Sequence, residues 1–135
     1  MTQQAAAAVG LYAALNVLIL MWLVLATSRL RQRYKVLIGD GGVPHMIRIM
    51  RGHANAVENM PMMMVLLLAA AALGTPVYVI HALGLCFTIG RAVHASHFIA
   101  EKGAGWQRFA GFGLSFAAMM IATLGVLAHA LWTIF

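Results

Sequence analysis

The chain has 135 residues, 63% of them hydrophobic and 9% charged, with nine Lys or Arg against three Asp or Glu and a formal net charge of +6. A soluble domain carries about 25% charged residues, and a disordered chain combines few apolar residues with many charges, so the composition argues against both. The basic residues flank apolar runs and are not interleaved with exposed aromatics, which points away from nucleic acid and toward lipid head groups and a small anion. The single cysteine, Cys86, can form neither an intrachain disulfide nor a cysteine-based zinc site. Its apolar neighbours predict a buried, inert thiol.

Every Asp, Glu, Lys and Arg falls between Arg29 and Glu58 or between Arg91 and Arg108. A membrane-crossing helix needs roughly 20 mostly apolar residues, so residues 1–28 predict a first span and residues 109–135 a last one. The charge-free stretch 59–90 is interrupted by Gly74-Thr75-Pro76, a turn signal. It reads as a helical hairpin whose arms extend into the charged windows. The predicted architecture is all-α, an integral membrane four-helix bundle forming one domain, with spans at about 5–27, 47–73, 77–99 and 107–133. Span 1 does not read as a cleaved leader, because Met1-Thr2-Gln3-Gln4 lacks a basic residue and the apolar run is too long.

Arg29, Arg31, Arg33 and Lys35 follow span 1, Arg48 and Arg51 lie at the start of span 2, and Lys102 and Arg108 separate spans 3 and 4. The positive-inside rule predicts that both connections are cytoplasmic and that both termini and the Gly74-Thr75-Pro76 turn are external. Reporter fusions after Gly42 and Gly103 are accordingly expected in the cytoplasm, and those at Gly74 and Phe135 outside. A cytoplasmic Gly74 fusion in an otherwise intact protein reverses this orientation.

Span 2 carries Arg51, Asn55 and Glu58 at i, i+4, i+7, which puts them on one helix face with Arg48 a turn below. Polar groups at membrane depth are costly and face protein or a water-filled cavity. The opposing arm supplies Arg91 and His94, with Phe98 one turn on and His97 turned partly aside. Glu58 and Arg91 lie at nearly equal separations from Thr75, roughly 25 Å by helical rise, so an opposite-charge pair between them is physically sensible near the inner edge of the hydrocarbon core. Such a pair could simply hold two helices in register. That reading leaves Arg48, Arg51 and Asn55 on the same stripe without a reason.

The run Arg48-Ile-Met-Arg51-Gly-His53-Ala-Asn55-Ala-Val-Glu58-Asn-Met-Pro61 resembles the signature of the MAPEG family, membrane-associated proteins in eicosanoid and glutathione metabolism. The pattern is R-x-x-R, then N-x-x-E and a proline, at the same spacing. Four predicted spans, a basic first connection and an arginine on the third span extend the resemblance over nearly the whole chain. The Gly39-Asp40-Gly41-Gly42 turn further resembles small bacterial inner-membrane members. The resemblance implies a homotrimer in a bacterial inner membrane that binds glutathione at its subunit interfaces on the cytoplasmic side, with Arg31 and His53 near the ligand.

Glutathione carries two carboxylates, one ammonium group and a thiol, and the motif offers matching groups. Arg48 and Arg51 can fork onto carboxylates, Glu58 can take the ammonium, and Asn55 can bond a peptide group. Arg91 and His94 complete the candidate set, His94 as a hydrogen-bonder, a proton carrier or a helix-interface donor. A thiol of pKa about 8.5 needs a nearby cation to become a thiolate at neutral pH. By the resemblance that cation lies between spans 3 and 4, where Arg108, and after it Lys102, are the candidates. The expected activity is that of a glutathione transferase or peroxidase acting on a hydrophobic electrophile or a lipid hydroperoxide. Asn59 and His94 stand where the eicosanoid branch has tyrosines, which argues against leukotriene synthesis.

Two other classes remain open. A non-catalytic glutathione- or lipid-binding scaffold would keep the site without an activated thiol. A small transporter or channel is argued against by the absence of charge in the outer halves of the spans. His94 and His97 share a face but lack the further ligands a metal centre needs, so no metal is expected. Met60, Met62, Met63 and Met64 read as flexible apolar filling, and Gly111, Ser115, Ala118 and Ala122 as a small-residue stripe for close helix packing.

Overall fold

The computed structural model describes residues 1–135 as four helices without a strand: α1 (Gln3–Tyr34), α2 (Pro44–Ala72), α3 (Val77–Ile99) and α4 (Gly105–Ile134). Each is long and apolar enough to cross a membrane. The Thr2 hydroxyl caps α1 by accepting from the Ala5 amide at 3.2 Å, satisfying one of the free amides of a helix start. α1 continues past its apolar run to Tyr34, where Arg31 and Arg33 face the negative end of the helix dipole. It ends as Lys35 turns left-handed at φ 55°.

Arg31 organises the connection that follows, its Nη1 donating to the carbonyls of Val36, Leu37 and Gly39 at 3.4, 3.3 and 2.9 Å. Gly39, Gly41 and Gly42 take φ values of 72°, 59° and 70° there, a conformation that a Cβ disfavours. Pro44 opens α2 at a position that needs no amide hydrogen. At the other end, Gly74 (φ 86°) turns α2 into α3.

α2 and α3 each touch all three other helices, whereas α1 and α4 do not meet. The buried residues of α4 are Gly111, Ser115, Ala118 and Ala122, so the small-residue stripe is its packing face. A Cβ on Gly90 would run into Ser115 and the Gly111 carbonyl, and one on Gly111 into the backbone of His94 and Gly90. Across α3, the Tyr12 ring lies against Gly84, and Asn16 Nδ2 donates to Thr88 Oγ1 at 2.8 Å. Leu23, Met63, Leu67, Ile80 and Phe87 are sealed in the core.

Helical spacing sorts the methionines: Met60 and Met63 are buried, Met64 is half-buried and Met62 points outward. Cys86 departs from expectation, being exposed. The inward stripe of α3 is Ile80, Gly84, Phe87 and Arg91, and Cys86 lies about 100° from Phe87 around the helix. Its apolar neighbours in sequence therefore describe a lipid-facing flank.

Candidate functional site

At the end of the bundle opposite the Gly74 turn, α2, α3 and the start of α4 enclose an open cleft of about 710 Å³. α2 contributes Ile47, Arg48, Arg51, Ala54, Asn55 and Glu58 to its wall, α3 contributes His94 and Phe98, and α4 contributes Arg108, Phe109 and Phe112. Close approach of α2 to α3 beside the cleft follows from sequence, since a Cβ on Gly52 would strike the Phe98 side chain. Glycine there lets α2 settle onto α3, and Phe98 in turn packs on His94 with ring centroids 4.9 Å apart.

The polar groups divide into those already engaged and those left free. Arg48 is engaged: Nη1 donates to the Glu101 carbonyl at 2.7 Å and Nη2 to the His97 carbonyl at 2.8 Å. It binds the end of α3 and the connection to α4, where carbonyls without helical partners are exposed. The expected fork onto a ligand carboxylate is thus already used on backbone. His97 reinforces the same connection through Nδ1 and the Ala104 carbonyl, 2.9 Å apart. Arg51, Glu58 and Arg108 line the cleft with exposed side chains and no partner in the chain.

Glu58 and Arg91 do not pair, contrary to the depth argument. The chain's one ion pair joins Arg33 to Glu101 at 3.6 Å, both 61% exposed, where solvent screening leaves little energy. Arg91 Nη1 donates instead to Asn55 Oδ1 at 2.8 Å. Equal depth is not sufficient, because Glu58 sits on the exposed flank of α2 while Asn55 is turned toward α3. Several candidates do not line the cleft within a single protomer: Arg31 is occupied in the α1–α2 connection, His53 is half-buried outside it, and the buried Arg91 lies behind Asn55. Lys102 is exposed on the α3–α4 connection, also outside the cleft.

The cleft is therefore a site with two arginines, one carboxylate and a neutral amide on the α2 wall and Arg108 among aromatic residues on the other, built on helices whose match to a family model runs over residues 9–128. The model is that of the MAPEG family. The chain belongs to the MAPEG family. Inner membrane protein YecN of Escherichia coli, in strains K12 and O6:H1 CFT073, is 32% identical over 123 residues, covering 91% of this chain and 92% of the relative. The MAPEG match contains every residue lining the cleft, and the family is generally associated with glutathione.

Phe109 and Phe112 escaped the sequence reading although they form much of the apolar wall. Their signal was the aromatic spacing of Phe109, Phe112 and Phe116 directly after Arg108. The Arg48 anchor had no such signal, because its acceptors are backbone carbonyls.

Proposed function

We propose that this membrane protein binds glutathione in the cleft between α2, α3 and α4 and uses its thiolate as a transferase or peroxidase toward apolar electrophiles. The observation that carries the reading is the presence in one cleft of three charged side chains without partners, Arg51, Glu58 and Arg108, beside the Asn55 amide. Arg51 suits a carboxylate, Glu58 the ammonium, Asn55 a peptide group and Arg108 the sulfur. Ile47, Phe109 and Phe112, all exposed on the flank of the cleft, suit an electrophile or lipid hydroperoxide arriving from the bilayer. We place the site in an inner membrane, as the name of the YecN relative supports, and on its cytoplasmic side, as the distribution of basic residues supports. In a homotrimer, Arg31 and His53 would serve the cleft of a neighbouring protomer.

In the transferase reaction the thiolate forms a carbon–sulfur bond as the leaving group departs with its electron pair. With a hydroperoxide, sulfur attacks the terminal oxygen, the O–O bond breaks and the lipid alkoxide takes up a proton. A second glutathione then converts the sulfenic product to disulfide and water.

Calorimetric titration of the detergent-purified protein tests the binding part. Arg51→Ala and Glu58→Ala are each expected to weaken glutathione binding about ten- to a hundred-fold, the usual loss for a charged hydrogen bond. Arg33→Ala, whose partner is the exposed Glu101, is expected to stay within about twofold. Equal affinities in all three variants would remove the site from α2. Ultraviolet difference spectra report thiolate formation in the same sample, and binding without thiolate favours the scaffold reading.

A further inference from the structure

Arg91 is 3% exposed, yet it does not line the cleft. Its Nη1 donates to Asn55 Oδ1 at 2.8 Å, while Nε and Nη2 are buried without an acceptor. No carboxylate comes within ion-pair distance of it. A guanidinium can only donate, so the edge of the Asn55 amide that meets Arg91 has to be its oxygen. The Nδ2 group then points away from Arg91; it bonds no group in the chain and is not buried, and the cavity that Asn55 lines is the cleft. Reversing the amide would set donor against donor and strip a buried cation of its only acceptor, which is strongly unfavourable. Asn59 does not compete, because its Nδ2 donates to the Asn55 backbone carbonyl at 2.8 Å.

We propose that Arg91 is a positioning residue that locks the Asn55 amide with both Nδ2 hydrogens toward the cleft, so that this level of α2 selects a ligand acceptor, a peptide carbonyl or carboxylate oxygen. The selectivity rests on the glutathione reading above; the Arg91–Asn55 contact does not. Asn55→Asp replaces the two donors by acceptors while offering Arg91 an ion pair.

The experiment combines a ligand-free stability cycle with glutathione titration of the detergent-purified, full-length protein. Without ligand, Asn55→Asp is expected to keep or raise the Tm when Arg91 is present and to lower it in the Arg91→Met background. With glutathione, Asn55→Asp and Arg91→Met are each expected to lose about tenfold or more in affinity, and Arg91→Lys, another pure donor, to recover part of the loss. In the Asn55→Ala background, Arg91→Met should cost nothing further. An additional loss there means that Arg91 touches the ligand itself, and it overturns the positioning role. So does wild-type affinity in Asn55→Asp, which also decides the matter if Arg91→Met fails to fold. A wild-type protein that binds no glutathione overturns the proposed function and the selectivity with it, while the ligand-free cycle still decides the contact.

Discussion

Arg108→Ala is expected to lower the rate of glutathione conjugation with a generic aromatic halide by about eight- to twenty-five-fold at neutral pH, the fall in thiolate fraction when a thiol activated by one to two units returns to the free value of about 8.5, while glutathione affinity changes only a few-fold. The side chain of Arg108 extends into the cleft from the first turn of α4 with no partner of its own. A cation beside the sulfur favours the thiolate over the thiol, so its loss acts on the reactive state more than on the bound ground state. With the cation the thiolate forms at lower pH, and without it the rate profile moves upward toward the free thiol value of about 8.5. Activity lost at neutral pH should therefore return in alkali. Lys102→Ala is the paired control, since Lys102 lies outside the cleft. Equal losses in the two variants would indicate a diffuse positive field, and an unshifted profile in Arg108→Ala would exclude Arg108 as the activating group.

Gly111→Val is expected to destabilise the bundle by about 3 kcal/mol, at the upper end of overpacking costs, with Gly111→Ala losing part of that. The added carbon would meet the backbone of His94 and Gly90, which cannot move aside as a flexible side chain would. Relief requires α4 to separate from α3, and α4 carries Arg108, Phe109 and Phe112 into the cleft. Glutathione binding should fall with stability. Gly113→Ala is the comparison, because a Cβ there meets nothing within 4 Å and alanine is the better helix former. Thermal unfolding in detergent gives the answer, and a Gly111→Ala protein as stable as Gly113→Ala would mean that the seam is loosely packed.

Helix number and class were legible from the uncharged stretches together with the Gly74-Thr75-Pro76 turn that divides the middle one, because an uncharged stretch long enough to cross a bilayer satisfies its backbone internally as a helix. Periodicity also brought Arg48, Arg51, Asn55 and Glu58 onto one stripe, and the structure sets all four along one cleft. The packing face of α4 was readable for the same reason, as small residues at helical spacing leave few alternatives.

Which partner each side chain meets was decided only in three dimensions. Spacing fixes the face of a residue's own helix, but the rotation of one helix against the next determines that Arg91 reaches Asn55 while Glu58 stays free. The same rotation turns Cys86 outward. Arg48 and Arg31 bind carbonyls, and since every residue has a carbonyl, nothing in the order of side chains marks which ones lie within reach. That depends on where α3 and the connections end in space. The sequence alone therefore determined four apolar helices and a polar stripe on α2, while tertiary packing decided which of its charges are consumed in holding the bundle together and which remain free in the cleft.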